Sequence, residues 1–137
     1  MRMITHDIPI SPEQPIAIIT TVQLGYGNTG YPVPALWDTG SAITSVDYRF
    51  LDEIKAPSLH KTCPFTTLNG CVEHEMFKVH FWIDQKILRT DWPVASADIW
   101  PTQGIGMIIG MDLISQGKMI VERKDDYLSF KFVSYKD

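Results

Sequence analysis

The chain lacks clustered positive charge. Its twelve Lys and Arg are outnumbered by sixteen Asp and Glu, for a net charge of −4, and no basic run exists that could track a phosphate backbone. Nucleic acid is therefore not an expected partner. Cysteine is scarce: Cys63 and Cys71 are the full complement, too few for a disulfide framework. No apolar run approaches the roughly 20 residues needed to cross a bilayer as a helix, and the opening Met1–Asp7 lacks the long apolar segment of an export signal. The expectation is a cytoplasmic chain with reduced thiols and no membrane attachment. Repeats and low-complexity segments are also missing. What remains is a chain of 137 residues, 45% hydrophobic and 20% charged, the composition of one folded domain with a sizeable core.

One stretch organises the rest. Ala35-Leu36-Trp37 is an apolar strand that runs directly into Asp38-Thr39-Gly40-Ser41-Ala42. Ending a buried strand on a carboxylate is unfavourable unless that carboxylate has a partner or a task. Gly40 can adopt backbone angles denied to other residues, so the chain can turn under Asp38, and Thr39 can offer its hydroxyl to nearby backbone. The arrangement reads as a carboxylate held rigidly at the floor of a cleft. An ordinary turn is the competing reading of the same tripeptide.

Around this stretch the patterning is mostly β. Residues 1–14, polar and carrying Pro9 and Pro12, read as an N-terminal arm without a core of its own, preceding a domain over 15–137. Ile16, Ile18, Thr20, Val22 and Leu24 alternate along a strand over Pro15–Leu24, which the turn cluster Gly25–Gly30 joins to Tyr31–Asp38. Thr44-Ser45-Val46-Asp47 matches a capping box, predicting a helix over Ser45–Ile54. Asn69-Gly70 predicts a hairpin between Thr62–Leu68 and Cys71–Ile83. A strand over Ile87–Ala95 follows a turn at Asp84-Gln85-Lys86, and an irregular loop covers 96–104. Then come Ile105–Gly110, a helix over Met111–Gln116, and closing strands Lys118–Glu122 and Tyr127–Val133.

Ile108-Ile109-Gly110-Met111-Asp112 is the second informative stretch: a short buried strand, then a glycine where another backbone passes closely. Together with Asp38-Thr39-Gly40 and the glycine-bearing central hairpin, it makes the chain resemble the retropepsin-like aspartic proteases from about Pro15 to Val133. The resemblance implies a mostly β fold: a closed acid-protease barrel with a flap hairpin and one or two short helices. It implies that Asp38 is catalytic, that Thr39, Gly40 and Ser41 form its scaffold, and that Thr67, Leu68, Asn69, Gly70 and Cys71 form the flap tip. Ile105 and Ile108 would line the substrate cleft. Many retroviral members carry an ion pair at the positions held here by Ala42 and Met111, so that pair is absent, and Gly110-Met111-Asp112 looks closer to the cellular and bacterial branch.

The chemistry implied is hydrolysis of a peptide bond by water activated between two carboxyls, with no metal or cofactor. One carboxyl acts as base while the other, protonated, polarises the carbonyl, and two carboxyls held close share a proton. Asp91, Asp98 and Asp112 lack the surrounding turn, so the second carboxyl is expected from Asp38 of another copy in a homodimer. A non-catalytic dimerisation or peptide-binding module of the same fold is the alternative. Two rivals are weaker. His60, Cys63, Cys71 and His74 have zinc-ligand types, but an Asn69-Gly70 turn would set Cys63 across from Met76 and spread the thiols along the hairpin. Ser41 lacks the Gly-x-Ser-x-Gly elbow of a serine nucleophile.

Overall fold

Alternation at even positions becomes strand β2 (Ile19–Gly25), which buries Thr20, Val22 and Leu24, and alternation at odd positions becomes β3 (Gly30–Trp37), which buries Val33, Ala35 and Trp37. The computed structural model describes residues 2–13, 16–27, 30–67, 70–83 and 86–135. The expected turn residues Asn28, Thr29, Asp84 and Gln85, the flap residues Leu68 and Asn69, and Pro15 lie outside the described residues.

The remaining elements, in chain order, begin with β1 (Arg2–Pro9) ahead of β2. After β3 come β4 (Ser45–Asp47), α1 (Tyr48–Glu53), β5 (Ser58–Thr67), β6 (Gly70–Ile83) and β7 (Lys86–Ala97). They continue through α2 (Trp100–Gln103), β8 (Met107–Ile109), α3 (Met111–Ile114), β9 (Gly117–Arg123) and β10 (Tyr127–Ser134). One sheet runs β2-β3-β8-β4-β7-β6-β5, and β2 also pairs with β6. Six strands thus close on themselves as a barrel, with β5 outside as an edge. The fold is mostly β with a few short helices, as the sequence pattern implies. Closure removes the barrel's own edges, and its interior is filled by Val22, Leu24, Val79, Phe81, Ile83 and Met107, each fully buried.

Three local expectations are corrected. The helix expected over Ser45–Ile54 is present but shorter, Tyr48–Glu53, and the capping-box match does not start it: Ser45–Asp47 is a buried strand, and Asp47 caps the helix by accepting from the Arg49 N–H. Trp100–Gln103 is a helical turn inside the segment expected to be irregular, closed by Gly104 in the left-handed region at φ 68°. In the hairpin, Thr67 pairs with Gly70 and Cys63 with His74, not with Met76. The register follows the buried face of β6 (Met76, Val79, Phe81, Ile83) and the irregularity between Ser58 and Thr62, where His60 has φ 55°.

The largest correction concerns the N-terminus. Residues 2–9 are not an arm. They form β1, paired antiparallel along its length with β10, which pairs in turn with β9. Ile4 is 1% exposed and belongs to the same core as Phe130 and Phe132. Truncating this side chain should therefore cost what a core truncation costs. Ile4→Ala is expected to lower the unfolding free energy by about 2–5 kcal/mol, read from the urea midpoint, whereas a detached arm would leave the midpoint unchanged.

Candidate active site

Strands β3 and β8 run parallel, with Ala35 beside Met107, Leu36 beside Ile108 and Trp37 beside Ile109. Their ends are therefore level, and the Asp38 N–H extends the ladder by donating to the Ile109 carbonyl at 2.9 Å. Trp37, the residue before the carboxylate, is fixed from below. Its ring packs against Phe130 and Phe132 at centroid distances of 4.9 and 5.0 Å, and its Nε1–H donates to Thr20 Oγ1 at 2.9 Å. The terminal sheet thus supports the strand that presents Asp38.

Beyond Asp38 the chain turns at once. The Gly40 N–H donates to Asp38 Oδ1 at 2.8 Å, and the Ser41 N–H donates to the Asp38 carbonyl at 3.2 Å. Gly40 does not use a positive φ. Its value is space, since a β-carbon there would stand 3.1 Å from Asp38 Oδ1. Asp38 is half-buried, whereas Thr39 and Gly40 are exposed. The Ser41 hydroxyl donates to the Ile43 carbonyl at 2.9 Å.

Gly110 lies where the two loops press together. A β-carbon on it would stand 2.8 Å from both the Ser41 oxygen and the Ile43 carbonyl carbon, a backbone contact that cannot yield cheaply. The Met111 and Asp112 N–H groups donate to the Ser41 and Ala42 carbonyls at 2.7 and 3.2 Å. Thr44, fully buried, completes the join: its hydroxyl donates to Asp112 Oδ1 at 2.8 Å and accepts from the Gly110 N–H at 3.1 Å. Sequence reasoning missed this role, because a local capping pattern accounted for Thr44 and its partners lie far along the chain.

Asp47 was missed as well. Its side chain has no exposure. Its Oδ2 accepts from the Ile99 and Trp100 N–H groups at 2.8 and 2.9 Å and from Arg49 Nη1 at 3.0 Å, so it pins the start of α2 to the end of β4. Burial pushes this carboxyl up, but the amides of Trp100, Arg49 and Ile99 and the Arg49 guanidinium together outweigh it, holding the group below its ordinary value.

Other expected site residues are placed as follows. Gly70 and Cys71 begin β6, opposite Thr67 and Thr66. Ile105 is 4% exposed and turns into the core, so it offers little surface to a cleft, whereas Ile108 is half-buried. Cys63 and His74 are cross-strand neighbours, but Cys71 lies further along the hairpin, and among the described residues no three His, Cys, Asp or Glu side chains converge as a metal-binding group. A groove of about 340 Å³ lies between the Asp38 loop and the hairpin, lined by Gly40, Ser41, Ala42, Ile43, Pro64 and Phe65.

This architecture is the fold of the retropepsin-like aspartic proteases. A retropepsin-like aspartic protease from Rickettsia conorii matches at a TM-score of 0.60 with 13% identity, over 97% of this chain and 94% of that one. EIAV protease in complex with the inhibitor HBY-793 matches at 0.57 with 18% identity, over 77% of this chain and 92% of that one. No family model and no curated protein matches the sequence.

Two outcomes test the site's scaffold. Thr44→Val keeps shape but leaves the Gly110 N–H without its acceptor, and should cost about 1–3 kcal/mol, measured by chemical denaturation. Asp47, with its folded value depressed, contributes stability in full above the unfolded carboxyl value of about 3.9 and loses it as pH falls through the lower folded value. The melting temperature should therefore drop in acid below about pH 4, and Asp47→Asn should flatten that drop. A variant as acid-sensitive as the parent would remove Asp47 as its source.

Proposed function

We propose that the protein is an aspartic endopeptidase that works as a homodimer, with Asp38 of each copy supplying half of the dyad. The observation that carries this reading is the setting of Asp38. It ends a braced strand with Oδ1 held by the Gly40 N–H, beside the Gly110 turn, in a retropepsin-like fold. Asp38 Oδ2 accepts no hydrogen bond among the described residues, which leaves it open to a water or a partner carboxyl. Thr39 and Gly40, exposed in one copy, would meet their counterparts across the two-fold axis.

In the mechanism, one ionised Asp38 takes a proton from water as the water oxygen attacks the peptide carbonyl carbon. The other, protonated, donates to the carbonyl oxygen. The remaining dyad proton passes to the amide nitrogen as the C–N bond breaks, and a hydroxyl of the tetrahedral intermediate returns its proton to the dyad as the carbonyl re-forms, which leaves the dyad with one proton. Thr39, Gly40 and Ser41 hold the geometry. Thr67 to Cys71 would close over the substrate as a flap, and Ile108 would supply cleft surface. The peptide or protein substrate needs no metal or cofactor to react by this route.

Asp38→Asn should abolish cleavage and leave the dimer folded, because it keeps shape and removes the ionisable group. The rate profile of the parent should be bell-shaped with its maximum on the acidic side of neutral, since both the doubly ionised and the doubly protonated dyad are inactive. Assays of a peptide library from about pH 3 to pH 9, spanning the carboxyl range, with mass measured by sedimentation, test both. Full activity in a species of one-chain mass would sink the shared dyad. Peptide binding without turnover would favour the non-catalytic module.

A further inference from the structure

A cavity of about 620 Å³, a volume ordinary for small-molecule sites, lies along the outer side of β2. Ile19, Thr21 and Gln23 alternate with the buried Thr20, Val22 and Leu24, so they face away from the barrel interior and towards this space. Trp82 of β6, Gly30 of β3 and His6 of β1 contribute the remaining walls. Neither Asp38 nor its loop lines the cavity. Gly30 opens β3 and Asp38 follows its last residue, so the two stand at opposite ends of one strand.

Trp82 and Gln23 are paired across β6 and β2, which sets their side chains next to each other. The benzo edge of the indole sits directly over Gly30. A β-carbon there would stand 2.4 and 3.0 Å from Trp82 Cζ2 and Cη2, and 3.2 Å from Gln23 Oε1. Gly30 does not use a positive φ, so what it supplies is room. Ring and amide converge over the one residue that leaves space for both. Trp82 is half-buried and lines the cavity, so its ring surface is held in a fixed place.

An indole beside a carboxamide offers two kinds of contact. The ring gives a face on which a flat heterocycle stacks. The amide gives a donor and an acceptor side by side. That pair matches the edge of adenine, which presents a ring-nitrogen acceptor beside an exocyclic amine. Among the described lining residues there is no Lys, Arg, Asp or Glu. A phosphate would therefore lose hydration without meeting a cation, whereas a neutral base or its sugar brings no charge to bury. Thr21, exposed at the same face, is placed for a sugar hydroxyl. We propose that this cavity binds an adenine-type base, as the free base or the nucleoside, with Trp82 as the stacking platform and Gln23 reading the base edge. The site stands independently of the role given to Asp38.

The test titrates the full chain with adenine, adenosine, purine riboside and AMP by calorimetry, and follows the indole N–H signals by NMR. Adenosine should bind saturably and shift the Trp82 signal. Purine riboside, which lacks the exocyclic amine, should bind on the order of tenfold more weakly. AMP should bind no more tightly than adenosine. Trp82→Leu should weaken adenosine on the order of tenfold, and Gln23→Leu should bring adenosine level with purine riboside. Gly30→Ala should also weaken it, because the added carbon displaces the ring. Where circular dichroism shows Trp82→Leu unfolded, Trp82→Phe replaces it, keeps a smaller platform and should weaken binding less. Trp100→Leu removes an exposed ring elsewhere, and Asp38→Asn alters the other site; both should leave the affinity unchanged. Adenine binding as well as adenosine, or less well, upholds the site and tells whether the sugar is held. No saturable binding of adenine or adenosine at millimolar concentration overturns the proposal. So does an affinity unmoved by the Trp82 and Gln23 variants, or lowered as much by Trp100→Leu. AMP binding tenfold or more tightly than adenosine overturns the neutral ligand.

Discussion

Two parallel strands must end at the same height for Asp38 to have a defined position, and a single buried hydroxyl does much to hold them there. Thr44 Oγ1 accepts from the Gly110 N–H and donates to the Asp112 carboxylate. It thereby uses both its donor and an acceptor site on the far loop. Around it, backbone bonds from Met111 and Asp112 to Ser41 and Ala42 stitch the loops edge to edge. Such close backbone contact is possible only because Gly110 has no side chain; any β-carbon would strike the Ser41 and Ile43 backbone at 2.8 Å. The requirement for glycine and the requirement for a buried threonine are thus two aspects of one constraint.

The two loops are held together with no charged side chain at Ala42 or Met111. Asp112, one residue further on, is half-buried and receives the Thr44 hydroxyl as well as the Leu113 N–H at 3.0 Å. The Asp112 carboxylate is thus met by neutral donors. Hydrogen bonds to a charged acceptor are about twice as strong as neutral ones, and no second buried charge has to be desolvated. Ala42 and Met111 are left exposed beside Thr39 and Gly40. Thr39, Gly40, Ala42 and Met111 thus present an uncharged surface beside Asp38.

What could be read from sequence was whatever is encoded within a few residues. The apolar run stopping at Asp38, the glycine after Ile108-Ile109, and the alternation of β2 and β3 are local patterns, and each became the expected element. What could not be read depended on distant partners. Arg2–Pro9 looks polar because, among its described residues, Ile4 alone reaches full burial, and its mate β10 lies at the other end of the chain. Thr44 and Asp47 formed a plausible local capping box. Thr44 instead finds partners 66 and 68 residues away, and Asp47, besides its local bonds to Arg49, reaches amides 52 and 53 residues away. Tertiary contacts won over local propensity in both cases. The turn at Gly40 was legible, but Gly40 does not use the unusual φ expected of it; a β-carbon there would instead crowd Asp38 Oδ1 at 3.1 Å.

The two aspartates nine positions apart in sequence, Asp38 and Asp47, receive very different numbers of hydrogen-bond donors. Asp47 is wholly buried yet surrounded by donors: three backbone N–H groups and a guanidinium commit it to the charged form. Asp38 is less buried and has one backbone N–H on Oδ1. The role proposed for Asp38 calls for few donors, because each donor to a carboxylate favours its ionised form. A structural carboxylate cannot be left short of donors in an interior site, because it would then take up a proton and release the segment it holds. The same residue type can occupy both settings because the backbone, through the segments that follow β3 and β4, decides how many N–H groups each carboxyl receives.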